Sequence, residues 1–285
     1  MGESDHRAAV AEPVSAPRSE GRWLGRIVVA GVLVAVLLPL VPLALYSLAG
    51  RWLYPDVLPA EWSLRAWEYV MRPRSQVLEA GFTSLALAVT VTTLATLFGV
   101  PAGRGLASLG SLTRAGVELL FFVPLIVPAL SVALGLHVVF VRIGLADTFA
   151  GVAIAHLLPS LPYMVLATAS TFSRSSIELE YQARTLGVGP VRAFLTVGLP
   201  GARGGVVAGG LFVFLISWSQ YALTLLIGGG RVLTLPLLLF SFASAGDYAL
   251  TAALSLVFLL PAVLILVLTA RVLTGRSIAL AGVAG

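Results

Sequence analysis

The hydrophobic positions of this chain form six long apolar stretches that are separated by shorter polar segments. Each stretch is close to the roughly 20 residues that a helix needs to cross the hydrocarbon core of a bilayer. The pattern therefore predicts an all-α integral membrane protein of about six transmembrane helices, at residues 27–49, 80–102, 116–140, 149–172, 204–227 and 249–270. It divides the chain into a cytoplasmic tail, a first helix with an outer segment, a core of five helices and a C-terminal tail, at residues 1–22, 23–79, 80–271 and 272–285.

The two ends of the chain carry different signals. Residues 1–22 contain Pro13 and Pro17 among charged and small residues without an apolar period, which predicts a mobile tail. The following apolar stretch could belong to a signal peptide, because Ser47 to Ala49 would make a small-residue cleavage site. The apolar core of a signal peptide is only about 7–15 residues long, however, so we interpret residues 27–49 as an uncleaved membrane anchor.

The composition supports a membrane protein. Of all residues, 58% are hydrophobic and 11% are charged, and the mean hydropathy is +0.99, far from the balance of a soluble domain. All 18 basic residues are arginines, and the net charge of +5 could indicate nucleic-acid binding. No stretch interleaves these arginines with aromatic residues as a single-strand-binding surface does. We therefore expect a lipid bilayer around the protein and no nucleic-acid partner.

The arginines are distributed unevenly between alternate loops. If the N-terminus is cytoplasmic, twelve of them fall on the inner side, namely Arg7, Arg18, Arg22, Arg26, Arg104, Arg114, Arg174, Arg184, Arg192, Arg203, Arg271 and Arg276. Six fall on the outer side, namely Arg51, Arg65, Arg72, Arg74, Arg142 and Arg231. Because cytoplasmic loops carry the excess of positive charge, we predict a multi-pass protein of the plasma or inner membrane with both termini in the cytoplasm.

The first outer segment, about residues 50–79, is rich in aromatic residues. Trp52, Tyr54, Trp62, Trp67 and Tyr69 lie among prolines and charged residues. Tryptophan and tyrosine are enriched where a membrane protein meets the headgroup region, so the pattern favours an interfacial aromatic belt. A docking surface for an extracytoplasmic partner is the alternative.

The predicted helices carry few groups that could do chemistry. The ionisable residues within them are Glu118, His137 and His156. Each histidine is more simply explained as a neutral, hydrogen-bonded interior residue or as a residue at a helix end than as a proton relay. The chain contains no cysteine and no lysine, which excludes thiolate chemistry and the lysine of a P-loop. Catalysis by this chain is not predicted, and an ATP-driven process would need a separate ATPase subunit.

One long polar segment faces inward, at residues 173–203, reading SRSSIELEYQARTLGVGPVRAFLTVGLPGAR. Ser175 or Ser176 can cap a short helix, Gly187 can end it in the left-handed conformation, and Pro190 can open a second helix. The pattern predicts a helix–turn–helix element on the cytoplasmic surface that could insert into a groove of a partner protein. A helix–turn–helix that reads DNA has the same outline, but the position between two membrane spans argues against it. An ordinary amphipathic connector remains the alternative, because periodicity alone does not reject it.

The stretch Glu180–Pro200 resembles the cytoplasmic loop of binding-protein-dependent ABC importer permeases. The pattern of that loop is Glu-Ala-Ala, three residues, Gly, nine residues and Ile-x-Leu-Pro, and the correctly spaced matches here are Ala183, Gly187, Val197, Leu199 and Pro200. Tyr181 stands where the glutamate belongs, with Glu180 one place earlier, and Gln182 replaces the first alanine. The resemblance implies that the residues coupling this chain to an ATPase subunit are Glu180, Tyr181, Gln182, Ala183, Arg184, Gly187, Val197, Leu199 and Pro200.

The resemblance extends over about residues 80–270. It includes a Thr83-Ser84-Leu85 start of the second span, the prolines Pro124 and Pro128, and the outer sequence Thr234-Leu235-Pro236. It implies the type I ABC importer permease fold, with a coupling helix seated in a cleft of the nucleotide-binding subunit. The implied partners are an ATP-binding subunit dimer, a second permease subunit in a heterodimer and an extracytoplasmic solute-binding protein. The ATPase subunits would bind ATP and magnesium, and this chain would hold neither cofactor nor metal.

The solute is less clearly indicated by the sequence. The best candidate pathway residues are Ser217, Ser219, Gln220 and Tyr221 in the fifth span, because polar side chains amid apolar ones often face a bundle interior. Hydrogen bonding between helices would explain them equally well. The layout resembles spermidine and putrescine permeases, followed by sugar permeases, yet the acidic residues of polyamine permeases are replaced here by Ser219 and Gln220. A neutral, zwitterionic or anionic small solute therefore stays open.

Two other hypotheses compete with the importer permease. A stand-alone secondary carrier or channel would use the polar residues of the fifth span and the histidines of the third and fourth. A structural membrane scaffold would transport nothing. Uptake driven by an ion gradient without any ATPase would indicate the first of these.

Overall fold

The computed structural model describes residues 20–52, 55–73, 75–172 and 174–281, and this part of the chain is almost entirely helical. The elements are α1 Glu20–Leu37, α2 Leu40–Ser47, β1 Ala49–Arg51, β2 Glu61–Trp62, α3 Arg65–Met71, α4 Gln76–Ala107, α5 Ser111–Ile126, α6 Ala129–Arg142, α7 Phe149–Thr171, α8 Arg174–Thr185, α9 Pro190–Ala193, a π-helical turn Phe194–Gly198, α10 Leu199–Trp218, α11 Ala222–Gly228, α12 Leu235–Ser244 and α13 Tyr248–Ala281. The predicted all-α membrane fold is confirmed.

Five segments of the described chain are long and apolar enough to cross a membrane. They are Arg26–Ser47, Gln76–Ala107, Phe149–Thr171, Pro190–Trp218 and Tyr248–Thr269. The pair α5 and α6, whose axes differ by 91°, counts as a sixth span if the two helices together form one broken span. The described chain thus has five or six candidate spans against the predicted six, and the prediction of one continuous helix over residues 116–140 is wrong.

Proline explains the break between α5 and α6. Val127 has an extended backbone, with φ −73° and ψ 133°, as expected of a residue that precedes a proline. Pro128 also lacks the N–H that would continue the ladder of helical hydrogen bonds. The sequence α5–Val127–Pro128–α6 therefore turns sharply within the membrane domain.

The fifth predicted span, residues 204–227, is interrupted as well. α10 ends at Trp218 and α11 begins at Ala222, so the prediction of one helix there is also wrong. The Ser219 hydroxyl donates to the Leu215 carbonyl oxygen at 2.8 Å. The Ser219 N–H also donates to the Leu215 carbonyl oxygen, at 3.0 Å, and the backbone leaves the helix after this residue.

The core of the fold is formed by α4, α7 and α10, and glycines allow the three helices to approach closely. A Cβ atom at Gly103 of α4 would lie 2.8 Å from the Val165 carbonyl oxygen of α7. On the other side of α7, Gly205 of α10 lies against Thr171 in the same way. Small residues at such contacts are typical of helix packing in membranes.

The segment that follows the first span is tied to the last helix. β1 and β2 pair as a short antiparallel hairpin, the rings of Tyr46 and Trp52 stack with centroids 4.2 Å apart, and Trp67 donates to the Ser47 hydroxyl at 3.3 Å. Arg65 of α3 reaches both carboxylate oxygens of Asp247, at 2.9 and 3.0 Å. Several of the predicted belt aromatics are thus packed within the protein.

The chain termini differ in how far the structure follows them. Residues 1–19 of the predicted tail 1–22 lie outside the described residues, and α1 begins at Glu20. At the other end α13 continues to Ala281. Residues 272–281, predicted as part of a tail, are therefore helical and contain no proline that would end α13.

Candidate functional site

The segment after α7 forms two short helices joined by a glycine turn, as the sequence predicts. α8 spans Arg174–Thr185 and α9 begins at Pro190. Gly187 has φ +88°, and the N–H groups of Gly187 and Val188 donate to the carbonyl oxygens of Arg184 and Ala183 at 3.0 and 3.1 Å. A left-handed glycine with these two bonds is a Schellman helix end. The proposed serine caps fall on side chains outside the described part.

The less exposed residues of α8 recur every three positions, as expected for one face of a helix. Ile177 packs against the core, Glu180 is buried and Ala183 is half-buried, whereas Leu179 and Tyr181 between them are about half exposed. Residues three or four apart lie on one face of a helix, so this pattern directs Glu180 towards the membrane domain. The Glu180 side chain is therefore directed into this chain and away from the exposed surface on which the resemblance implied a contact with an ATPase subunit.

Glu180 is held by an arginine from a distant part of the chain. The Arg104 Nε atom donates to Glu180 Oε2 at 2.8 Å, and Arg104 Nη2 donates to Oε1 at 2.7 Å. The side chains are 24% and 3% exposed. Charge-assisted bonds of this paired form fix orientation as well as distance. Sequence reasoning counted Arg104 only as an inner-side charge, since nothing local relates it to a residue 76 positions away.

The remaining predicted coupling residues differ in their exposure. Tyr181, Gln182, Arg184, Gly187 and Pro200 are exposed, and Ala183, Val197 and Leu199 are half-buried. The exposed apolar side chains at this end of the molecule include Leu179, Tyr181, Leu186, Val191 and Leu195, which are between 49% and 85% exposed. The Arg184 guanidinium lies 5.7 Å from the centroid of the Tyr181 ring. An apolar surface bordered by arginines is the kind that takes a protein partner.

The polar residues at the break after α10 have separate environments. Ser217 is 4% exposed and bonds the Nδ1 atom of His156 at 3.0 Å, while the Nε2 atom of His156 bonds the Thr224 hydroxyl at 2.9 Å. His156 is thus the hydrogen-bonded interior residue that was predicted. It joins α7, α10 and α11 on either side of the break. His137 is half-buried, and its Nδ1 atom has no partner among the described residues.

A cavity of about 310 Å³ lies between the two broken helices. Its lining includes Ile126, Val127 and Pro128 from the first break and Gln220 and Leu223 from the second. Gln220 is the single polar side chain among the described lining residues, and no carboxylate is present there. Ser219 is exposed beside the break, and the Tyr221 ring packs 4.8 Å from the ring of Phe240.

These features can be compared with known proteins. The family model for the inner membrane component of binding-protein-dependent transport systems matches residues 95–275. The chain belongs to this family. It is a multi-pass membrane protein and a permease component of ABC importers, which work with an ATPase and a solute-binding protein. The resemblance drawn from the loop residues is confirmed.

Relatives with assigned names span most of the chain. The molybdenum transport permease ModB of Mycobacterium tuberculosis is 30% identical over 265 residues, which cover 87% of this chain and 93% of ModB. The aminoethylphosphonate permease PhnV of Salmonella typhi, whose name is marked as putative, is 27% identical over 249 residues, covering 86% and 93%. The molybdate/tungstate permease WtpB of Thermococcus kodakarensis is 32% identical over 151 residues, covering 53% and 61%.

A solved structure confirms the fold. The crystal structure of a bacterial ABC transporter involved in alginate import contains a chain that superposes with a TM-score of 0.68 at 14% identity. The match covers 90% of this chain and 99% of that one. At this identity the similarity concerns the fold, which is that of a type I importer permease.

Proposed function

We propose that residues 174–203 dock this chain onto an ATPase subunit and that the cavity between the broken helices is the pathway for a small oxyanion. The first part rests on the exposed helix–turn–helix formed by α8 and α9, which packs on the π-helical turn that leads into α10 and is bonded to α4 through Arg104 and Glu180. ATP and magnesium are bound by the ATPase subunits, and this chain contributes no catalytic group. A second permease subunit, different from this chain, completes the pathway.

The shape and chemistry of the loop surface support docking. Leu186 and Val191, on the two sides of the Gly187 turn, are 85% and 70% exposed. Side chains so placed fit a groove on a partner, since a short helix binds by inserting an apolar face. Arg184 and Arg192 at its edge can pair with acidic residues of an ATPase.

The positions of the arginines support a cytoplasmic location for the surface formed by α8 and α9. Arg104, Arg114, Arg184, Arg192 and Arg203 all belong to the end of the molecule at which α4 and α7 end and α10 begins. Because arginines concentrate on the cytoplasmic side, this end is the cytoplasmic one. Both termini are then cytoplasmic.

The lining of the cavity supports an anionic solute. A pathway for a polyamine should present carboxylates, and the described lining contains none. The Gln220 side-chain amide has two N–H donors for oxygen atoms of a solute. Molybdate, tungstate and the phosphonate group, which appear in the names of the relatives, are all tetrahedral oxyanions. We therefore assign this solute class to the chain.

The docking proposal is tested in proteoliposomes that contain this chain with its ATPase and second permease subunit, supplied with the binding protein. Gly187→Arg should leave insertion intact and abolish solute-stimulated ATP hydrolysis. Gly144→Arg is the matched control, because Gly144 is also exposed at positive φ with open space around it but lies at the opposite end. Normal stimulation by Gly187→Arg would overturn the proposal.

The solute class is tested with molybdate as the probe, with spermidine and maltose as competitors. Gln220→Glu should reduce molybdate uptake about tenfold, because a carboxylate in the cavity wall would repel an anion. Gln76→Glu, the same change at the exposed outer start of α4, should have no effect. Uptake of spermidine but not of molybdate would overturn the oxyanion assignment. Uptake driven by an ion gradient without the ATPase would instead establish the stand-alone carrier.

A further inference from the structure

Helix α8, called the loop helix below, contains two glutamates. The carboxylate of one of them, Glu180, points away from the surface where a partner would bind. Glu180 is 3% exposed on its side chain and is engaged by Arg104 through both oxygens. Its neighbours Leu179 and Tyr181 remain about half exposed. An acidic residue so enclosed is unsuited to contacting an ATPase, and its role must lie within this chain.

The ion pair joins three elements at one point. Arg104 lies in the last turn of α4, and Glu180 lies in the middle of α8. A Cβ atom at Gly198, in the π-helical turn that leads into α10, would lie 2.8 Å from Glu180 Oε2. The absence of a side chain at Gly198 thus makes room for the carboxylate. The loop helix, the start of α10 and the end of α4 therefore meet at this carboxylate.

Open space lies on both sides of this junction. A cavity of about 690 Å³ separates α8 from the turn between α4 and α5, with Leu109, Arg114 and Ile177 in its lining. A second cavity of about 300 Å³ borders the pair itself and is lined by Arg184, Val191 and Phe194. α8 packs against the π-helical turn and α9, and the two hydrogen bonds between Glu180 and Arg104 connect it directly to α4.

We propose that the Arg104–Glu180 ion pair is a positioning contact that makes α4 move with the loop helix when the ATPase subunits close. This inference rests on the docking proposal above. Two parallel bonds resist rotation as well as separation, so a displacement of α8 is passed to α4. Without the pair, the loop helix can move into the neighbouring space while α4 stays behind.

The first test compares neutral substitutions in the reconstituted transporter. Glu180→Gln and Arg104→Gln should each lower solute uptake per ATP hydrolysed by about tenfold, since each removes charge-assisted bonds. Co-purification with the ATPase subunit should be retained. The matched control is the Arg114–Glu118 pair, which also lies at this end but within one helix, with its atoms 2.8 Å apart. Arg114→Gln and Glu118→Gln should leave the ratio unchanged.

The second test separates coupling from stability. The double variant Arg104→Met and Glu180→Leu removes both charges, and replacement of a buried pair by apolar residues is often neutral for folding. It should assemble normally and still transport about tenfold less per ATP. Transport at the normal ratio by this double variant would overturn the inference.

The third test rebuilds the connection covalently. The chain has no cysteine, so Arg104→Cys with Glu180→Cys can be joined by a reducible bis-methanethiosulfonate linker inside the assembled transporter. The linked protein should regain most of the uptake per ATP, and dithiothreitol should abolish the gain. A contact needed only for folding would show no reversible change. Equal ratios before and after reduction would overturn the inference.

The two proposals fail in different ways. If Gly187→Arg uncouples the transporter while Glu180→Gln and the linked pair behave like the unmodified protein, the positioning role is wrong and docking stands. If Gly187→Arg couples normally, the docking proposal is wrong, and the positioning role falls with it.

Discussion

One arginine–carboxylate pair at each end of the membrane domain connects distant parts of the chain, and the two pairs differ in burial; in the proposed orientation these ends are the inner and the outer one. At the inner end the Arg104 and Glu180 side chains are 24% and 3% exposed. At the outer end the Arg65 and Asp247 side chains are 58% and 26% exposed. Both have two short hydrogen bonds to the carboxylate. Arg104 uses its Nε and Nη2 atoms, one for each oxygen, whereas Arg65 reaches both oxygens from Nη2 alone. The inner pair is therefore expected to matter more for stability, because desolvation sets the cost of losing a partner.

The largest expected effect comes from leaving one inner charge unpaired. Glu180→Leu should lower the free energy of unfolding by about 3–5 kcal/mol, because Arg104 would then be a partly buried charge without its partner. Adding Arg104→Met should restore most of the loss. Chemical denaturation in detergent, followed by tryptophan fluorescence, measures both. If Glu180→Leu proved as stable as the parent, the inner pair would contribute as little to the free energy of unfolding as an exposed pair does.

The next effect tests the space around the inner carboxylate. Gly198→Ala places a methyl group 2.8 Å from Glu180 Oε2 and 3.3 Å from a Phe194 ring carbon, and such overpacking costs about 1–3 kcal/mol. Gly204→Ala is the control, because a Cβ atom there meets nothing within 4 Å. The two unfolding midpoints should differ clearly. Equal midpoints would mean that the junction tolerates displacement of Glu180.

A smaller effect is expected for the hydrogen bonds that His156 makes with Ser217 and Thr224. His156→Leu would leave the buried Ser217 hydroxyl without its His156 partner, whereas Thr224 keeps its bond to the Gln220 carbonyl oxygen at 3.0 Å. The loss should be about 1–2 kcal/mol. His137→Leu, which breaks no hydrogen bond at Nδ1, provides the comparison by the same denaturation measurement. A larger loss for His137→Leu would contradict this assignment.

The smallest effect concerns pH at the outer end. Burial raises the pKa of the Asp247 carboxyl, but hydrogen bonds from Arg65 and from the Leu250 N–H outweigh it, so the net pKa is below the usual value. The carboxylate therefore adds stability that is fully present above about pH 4 and is lost as the pH falls through the lowered pKa. Asp247→Asn should remove this dependence, as measured by the unfolding midpoint between about pH 2 and 5. If the unfolding midpoint of Asp247→Asn changed with pH as it does in the parent, other carboxyl groups would be responsible for the dependence.

Much of the fold could be predicted from the chain because hydrophobic segment length is a local property. A stretch of about 20 apolar residues predicts a membrane span wherever it lies. The Gly187 turn and the helix start at Pro190 were predicted for the same reason, since both depend on backbone preferences of single residues. The two broken helices were missed, because tertiary contacts decide whether Pro128 or Ser219 ends a helix or is accommodated within it.

The candidate site was predicted in outline. The loop residues from Ala183 to Pro200 were found by their spacing, and Gln220 was recognised as a polar residue within an apolar span. The sequence could not separate Gln220, which lines a cavity, from Ser217, which bonds His156. Both are polar residues in similar surroundings along the chain, and only the packing of neighbouring helices assigns them different partners.

The amino-acid sequence is sufficient to predict that this chain spans a membrane and to which family it belongs. Both properties follow from the length of the apolar stretches and from a spaced set of loop residues. The tertiary structure alone decided that Glu180 faces Arg104 and that the cavity lies between two helix breaks. The physical reason is sequence separation: residues 76 positions apart carry no local signal of each other, and their contact depends on how α4 and α8 pack.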